Sequence, residues 1–169
     1  MSAPAGDRPL FPFGPILFFG DSVTASWTAQ MPQAFSGPQT VARGIPGQTT
    51  RDMARRLRSE IALYGARGLH LICGRDDILG GNPGVTRDGI VADIRAMLSD
   101  TRDLYVRSWV GSIPPVDPAS PAAAGRPLGL IAEVNAWLRD HVHEYGAAFI
   151  DHDPVLATES GALKPAFSD

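Results

Sequence analysis

The sequence predicts an α/β protein in which helices cover both faces of a parallel β-sheet. Short, unbroken apolar runs alternate along the chain with longer stretches whose apolar residues recur every three or four positions. Such runs are typical of strands buried on both faces, and such stretches are typical of helices that lay one apolar stripe on a sheet. We therefore predict a three-layer α/β/α sandwich with a doubly wound, five-stranded parallel sheet.

Five apolar runs are candidate strands. The first, Ile16 to Gly20, is flanked by Gly14-Pro15, is too short for an independent helix, and stops at a Gly-Asp-Ser sequence. The other four runs are also short and bounded by polar or turn residues, and they cover Thr40 to Arg43, Leu69 to Cys73, Leu104 to Trp109 and Ala148 to Asp151. Each is followed by a stretch that returns the chain for the next parallel strand.

Three segments between these runs have the helical period. Their apolar positions are Met53, Leu57 and Ile61, then Ile90, Ile94, Met97 and Leu98, then Ile131, Val134, Leu138, Val142 and Tyr145. Thr49 or Thr50 is placed to cap the first helix, and Thr86 the second. Gly65 and Gly146 stand where a helix end favours a residue that adopts positive φ.

The composition is that of one globular domain. A chain of 169 residues with 44% hydrophobic content can bury a single core of ordinary size. We predict a flexible, Pro- and Gly-rich N-terminal segment at residues 1–15 and a single domain at residues 16–169. The lone Cys73, at the end of an apolar run, is expected to be a small buried hydrophobe.

Charge and hydropathy exclude two classes of partner. The net charge of −3 comes from interspersed signs, so the concentrated positive face that nucleic-acid binding requires is missing. No apolar run approaches the roughly 20 residues of a membrane span, and the N-terminus does not read as a signal peptide. We expect a cytoplasmic protein, or a secreted one if a leader has been removed.

Ser22 is the first candidate site residue. It follows the first predicted strand, where it either caps the next helix or presents a nucleophile beside the unpaired N–H groups of the first helical turn. Gly44, Asp76 and Ser112 also follow predicted strands. Ligands of doubly wound sheets bind outside the carboxyl ends of the strands, so these four residues predict a site at that edge.

Three sequence blocks add a family resemblance. Gly20-Asp21-Ser22, then Ala42 to Thr50, then Cys73 to Asp77 occur in the order and spacing of the SGNH hydrolases, also called GDSL esterases and lipases, which the chain resembles from about Ile16 onward. The resemblance implies a flavodoxin-like sheet and hydrolysis of small carboxylic esters, with acetyl or short acyl groups the first expectation, through an acyl-enzyme and without a cofactor. It implies that Ser22 is the nucleophile and that the backbone N–H of Gly44 binds the oxyanion. Gly44 also lacks a side chain that would keep a substrate from its backbone.

Asp76 is a departure from the family pattern, which has an asparagine donor at this position. An ionised carboxylate only accepts hydrogen bonds, and it repels an oxyanion. Two alternatives follow. Beside Asp77 and partly buried, Asp76 could retain a proton and donate as asparagine does, or it could cap a turn in a degraded oxyanion site.

The family's C-terminal Asp-x-x-His block is the second departure. The sequence ends at Asp169, so the resemblance implies that the general base, its orienting acid and a last helix belong to a segment that this chain lacks. Apolar sheet surface left uncovered in this way would favour dimerisation or aggregation. His152, between Asp151 and Asp153, is the one histidine at the end of a strand, and it is the only candidate in this chain for a substitute general base. Neighbours on a strand point to opposite faces, however, so neither aspartate is automatically its partner.

Two other interpretations stay open. The carboxylates around His152, together with Asp76 and Asp77, could suggest a metal site, but their spacing is nonspecific and we expect no metal. The chain could also be a non-catalytic ligand-binding protein that keeps the pocket of a hydrolase without its triad. Its status as an enzyme is therefore open at this point.

Overall fold

The fold is a five-stranded parallel sheet between helices, in a computed structural model that describes residues 14–167. The strands are β1 (Ile16–Gly20), β2 (Thr40–Gly44), β3 (Gly68–Ile72), β4 (Arg107–Gly111) and β5 (Ala148–Ile150). Their order is β2-β1-β3-β4-β5, and every neighbouring pair is parallel. This doubly wound order reverses direction between β1 and β3, which confirms the predicted fold class. Most of the predicted N-terminal segment lies outside the described residues.

Six helices connect or follow the strands in the described part of the chain. They are α1 (Ser22–Gln30), α2 (Thr50–Tyr64), α3 (Arg75–Leu79), α4 (Arg87–Asp103), α5 (Gly129–His141) and α6 (Asp153–Leu156). Short 3₁₀ turns occupy Pro32–Phe35, Pro121–Ala123, Val142–Tyr145 and Pro165–Phe167. None of these helices is long and apolar enough to cross a bilayer.

The predicted helix ends are confirmed. Thr49 caps α2 in a reciprocal capping box with Asp52, and the Thr86 hydroxyl accepts a hydrogen bond from the first turn of α4. Gly65 and Gly146 end their helical segments with φ values of 60° and 73°. The sequence therefore specifies where these helices stop as well as where their apolar stripes lie.

The fourth strand begins later than predicted. Leu104 to Trp109 reads as one apolar run, but the structure places Leu104 at the end of α4, where its N–H donates to the carbonyl of Asp100 at 3.0 Å. Tyr105 then turns the chain with a φ of 57°, and β4 starts at Arg107. The apolar side chain of Leu104 thus belongs to the helix end and not to the sheet.

The two faces of the sheet are covered unequally. Helices α2, α4 and α5 lie side by side on one face, where Leu17, Phe19 and Leu71 are fully buried. Helix α1 lies on the other face, where Phe18 packs edge-on against Trp27 with ring centroids 5.5 Å apart. Phe18, Ile16 and Trp109 on that face are only half-buried. Self-association through this surface stays a prediction.

Two glycines let α1 approach the carboxyl end of the sheet. Gly20 and Gly44 pair in adjacent strands. A Cβ atom on Gly20 would lie 2.0 Å from the Thr24 hydroxyl, and one on Gly44 would lie 2.2 Å from the backbone nitrogen of Ala25. Real Cβ atoms do not come this close to other atoms, so α1 sits where it does because both side chains are absent.

We expect Gly44→Ala to destabilise the fold by about 1–3 kcal/mol, because the new methyl group meets helix backbone that cannot rotate away. The measurement is urea unfolding followed by circular dichroism. Gly37→Ala is the matched control, since a Cβ atom there meets nothing within 4 Å. Equal stability of the two variants would contradict the close packing of α1.

Candidate active site

Ser22 lies at the carboxyl end of β1, as the first residue of α1. Asp21, and not Ser22, caps this helix by accepting the N–H of Val23. The hydroxyl of Ser22 is therefore not used as a cap. It donates to Oδ1 of Asp76 at 2.6 Å, while the backbone N–H of Ser22 donates to Oδ2 of Asp76 at 3.1 Å.

A second backbone N–H converges on the same carboxylate oxygen. Gly47 donates to Oδ2 of Asp76 at 2.7 Å. Its φ of 79° is a conformation that favours glycine, and a Cβ atom there would meet nothing within 4 Å. The amides of Ser22 and Gly47 thus form a two-donor anion site beside the serine hydroxyl, and a carboxylate oxygen of the protein occupies it. We call this pair of amides the anion site.

Gly47, and not Gly44, donates its N–H to Asp76 in the structure, and the oxyanion role that the sequence analysis gave to Gly44 stays a prediction. Gly44 ends β2, and the side on which a Cβ atom would lie is filled by α1, so its lack of a side chain serves helix packing and not the approach of a substrate. The sequence analysis did not consider Gly47, although it is a second glycine three residues after Gly44 in the same block.

Asp76 acts as an acceptor in the structure. Its two oxygens take hydrogen bonds from the Ser22 hydroxyl and from the amides of Ser22 and Gly47. The two amides can only donate, whereas the Ser22 hydroxyl, 2.6 Å from Oδ1, can also accept a hydrogen bond from a protonated side chain. Both alternatives for Asp76 therefore stay predictions.

A buried carboxylate connects the first and third sequence blocks. Asp21 is completely buried, and its second oxygen accepts the backbone N–H of Arg75 at 3.2 Å. Burial, and then the neighbouring charge of Asp76, raise the pKa of Asp21 to about 7. Through its hydrogen bonds to Val23 and Arg75, Asp21 holds the N-termini of α1 and α3 together, with Ser22 on one and Asp76 on the other.

Asp77 makes the corresponding connection to the second block. It is buried, and it accepts both the N–H and the hydroxyl of Thr50 at 2.8 Å. Burial raises the pKa of Asp77 despite these donors. Because Thr50 opens α2, this contact fixes the start of that helix against the turn after β3.

Arg56 holds the loop that carries Gly47. Its guanidinium donates to the side chain of Gln48 at 2.7 Å and to the carbonyl oxygens of Gly20 and Arg43 at 3.3 and 3.0 Å. These carbonyls end β1 and β2. One half-buried cation therefore ties both strand ends to the residue that follows Gly47.

Arg75 is a further residue that the sequence analysis did not assign. It begins α3, it is half-buried, and its Nη1 lies 3.4 Å from Oγ of Ser22. Nothing in the three blocks singled it out, because a lone arginine before a pair of aspartates reads as a surface charge.

The histidines lie elsewhere. The Nδ1 of His152 is 3.1 Å from the carbonyl oxygen of Ser112, and its backbone N–H donates to the Ser112 hydroxyl at 2.9 Å. Asp151 pairs with Arg139 at 3.1 Å and not with His152. Within residues 14–167, no histidine forms a hydrogen bond with Ser22, and no group of three His, Cys, Asp or Glu side chains is arranged to hold a metal ion.

A separate, largely apolar cleft of about 410 Å³ lies between the loop after β4 and the start of α5. Its lining includes Val116, Leu128 and Ile131, together with one carboxylate, Asp153. The described residues around Ser22 do not line it. The chemistry-bearing side chains therefore sit on the open edge of the sheet and not in this cleft.

We expect the free energy of unfolding to fall as pH rises through 7. The raised pKa of Asp21 means that the folded protein retains a proton that the unfolded chain releases near pH 4, so this stabilisation is complete below about pH 4 and is lost above about pH 7. Between about pH 6 and about pH 8 the loss is roughly 1 kcal/mol. Urea unfolding at the two pH values measures it.

Asp21→Asn should reduce this pH difference, because asparagine does not titrate. Its side-chain NH₂ group would face a backbone N–H, donor against donor, so stability should be lower at both pH values. The exposed Asp140→Asn is the control and should behave as the parent does. Identical pH differences in the two variants would show that Asp21 does not titrate in this range.

Comparison with known structures shows the same fold in proteins of low sequence identity. A GDSL-like lipase from Bacteroides thetaiotaomicron superposes with a TM-score of 0.84 at 20% identity, over 95% of this chain and 80% of that one. A proposed acylhydrolase from Bacteroides fragilis gives 0.82 at 21% identity, over 96% and 79%. The psychrotrophic esterase EstA from Pseudoalteromonas sp. gives 0.60 at 14% identity, over 88% and 86%.

No curated protein matches the chain. The model of one family does, the GDSL-like lipase/acylhydrolase family, over residues 18–169. The match spans the Ser22 block, the Gly47 block and the block of Asp76, which the structure brings together at one edge of the sheet. This chain therefore belongs to the GDSL-like lipase/acylhydrolase family, a family of hydrolases that act on esters.

Proposed function

We propose that the chain is a serine esterase that cleaves small carboxylic esters, acetyl or short acyl esters first, through an acyl-enzyme on Ser22. The observation that carries this proposal is the anion site. Two amides 3.1 and 2.7 Å from a single carboxylate oxygen lie directly beside the serine hydroxyl. That oxygen stands in for the oxyanion of a tetrahedral intermediate, which needs donors at the same distances.

The reaction follows from this geometry. Oγ of Ser22 bonds to the acyl carbon, the π electrons of the carbonyl move onto its oxygen, and the hydroxyl proton leaves to a base. When the intermediate collapses, the alcohol departs with a proton, and water releases the acid in a second, equivalent cycle. The base that family resemblance supplies is the histidine of the Asp-x-x-His block, and that histidine is not among the described residues.

Asp76 limits this chemistry. The substrate carbonyl reaches the anion site only if the carboxylate gives up its bonds to the two amides. The nearest acceptor for the serine proton is Oδ1 of the same residue, and a carboxylate is a much weaker base than an imidazole. We therefore expect slow turnover from this chain.

The occupied anion site also favours the alternative function. A protein that binds a ligand at this edge without cleaving it would tolerate a carboxylate beside Ser22, whereas an efficient esterase would not. The two functions differ in their dependence on the serine hydroxyl, since ligand binding needs the surface and hydrolysis needs the nucleophile.

We expect slow hydrolysis of p-nitrophenyl acetate by the parent chain, and a fall to the rate without protein in Ser22→Ala, because the acyl-enzyme cannot form. The assay covers about pH 5 to about pH 9, the range in which a general base titrates. A phosphonate ester, followed by intact mass, is the second probe, since EstA is inhibited by monoethylphosphonate. Equal rates and equal labelling of the two proteins would contradict a nucleophilic Ser22 and support the binding protein.

We expect Asp76→Asn to raise kcat, because it removes a negative charge from the anion site and introduces an N–H donor. Loss of one such donor costs about 10²- to 10³-fold in a measured protease, so a gain of about 10-fold or more is the expected scale. The variant is compared with the parent at about pH 8, where an ionised carboxylate is most harmful. A fall to the level of Ser22→Ala would contradict the expectation and identify Asp76 as the acceptor of the serine proton.

A further inference from the structure

The guanidinium of Arg75 is the one positive group in contact with the nucleophile among the described residues. Its Nη1 lies 3.4 Å from Oγ of Ser22, while the hydroxyl itself donates to Oδ1 of Asp76. Gly74, with a φ of 105°, makes the turn that delivers Arg75 to this position, and the backbone N–H of Arg75 is fixed by Asp21. The arginine is thus held by the same contacts that place Asp76.

The surroundings of Ser22 are otherwise rich in negative charge. The charge of Asp76 raises the pKa of Asp21, and the charge of Arg75 lowers it. An oxyanion that forms on a substrate here meets a carboxylate where the family has an amide donor. Without a compensating cation, that interaction opposes the reaction.

We propose that Arg75 is a catalytic residue that stabilises the oxyanion of the tetrahedral intermediate, in place of the amide donor that Asp76 cannot supply. The proposal rests on the esterase function proposed above. In the intermediate, the acyl carbon is bonded to Oγ of Ser22 and the oxyanion is one bond further on. The proposal requires the guanidinium, whose Nη1 lies 3.4 Å from Oγ, to turn from Oγ toward that oxygen.

The positive charge suits this role for two reasons. A hydrogen bond from a charged donor is roughly twice as strong as one from a neutral amide, so one arginine can offset a lost donor and part of a repulsive carboxylate. In addition, the planar fork offers several N–H groups in fixed directions, so it can follow the oxygen from the carbonyl position to the oxyanion position.

A different role for Arg75 would be to bind an anionic group carried by the substrate itself. Asp76, and Asp21 once it has lost its proton, disfavour an anionic substrate, whereas they leave an uncharged ester unaffected until the oxyanion forms. The roles differ in the kinetic constant that they control. Oxyanion stabilisation appears in kcat, and binding of a charged group in the ground state appears in KM.

The first test combines two substitutions. We expect Arg75→Met to lower kcat for p-nitrophenyl acetate by about 10²- to 10³-fold with little change in KM, since methionine keeps the volume and loses the donor. In the Asp76→Asn background, where an amide donor is restored, the loss from Arg75→Met should be no more than about 10-fold. Arg51→Met, at an exposed arginine of α2, is the charge-matched control and should change neither constant.

Three outcomes would overturn the proposal: no loss of kcat in Arg75→Met, an effect confined to KM, or an equal loss in both backgrounds. Free guanidinium ion added to Arg75→Ala should restore part of kcat, whereas it should not affect Asp76→Asn. A purely structural role for the arginine would show no such rescue.

A second test is independent of turnover and so separates failure of this proposal from failure of the esterase function. Asp76→Ala empties the anion site, and acetate is the probe for it, with binding followed by the amide NMR signal of Gly47. We expect Arg75→Met to weaken acetate binding to that variant by about 10-fold, the size of one charge-assisted contact. Unchanged acetate affinity would show that Arg75 does not reach the anion site, even if hydrolysis depends on Ser22.

Discussion

The buried carboxylate of Asp21 is the interaction on which the arrangement around Ser22 depends. One oxygen caps α1 and the other accepts the backbone N–H of Arg75, at 3.0 and 3.2 Å from the donor nitrogens. Since β1 and β3 are neighbours in the sheet, this single side chain joins the two turns that follow them. An apolar replacement would leave two buried N–H groups without partners, which costs more than the lost bonds alone.

The same construction recurs around the site, because each strand end leaves backbone groups that need a partner. Asp77 satisfies the start of α2 through Thr50, and Arg56 satisfies the carbonyls that end β1 and β2. Placing two buried acids and one half-buried arginine in this way is tolerable only because fixed donors or acceptors face each of them. The result is a concentration of acidic side chains around Ser22, to which Asp76 adds a carboxylate.

Local patterns in the sequence were enough to predict the fold and the position of Ser22. The run from Ile16 to Gly20 has to be a buried strand, and Thr86 and Gly65 mark helix ends by their own chemistry. The contacts of Gly47 with Asp76 and of Arg75 with Ser22 were missed because they depend on which turns meet in space, and a one-dimensional pattern does not contain that information. Leu104 was misplaced for a related reason, since an apolar residue between a helix and a strand fits either until the turn at Tyr105 is known.

Protection of the Gly47 amide from hydrogen exchange is a consequence of the occupied anion site. Amides in helices and strands are protected by backbone partners, but that of Gly47 lies in a loop and is protected by one side chain. Its exchange rate therefore reports the fraction of time that the Asp76 carboxylate spends away from the site. The exchange of this single amide would then measure how often the anion site is free of the Asp76 carboxylate.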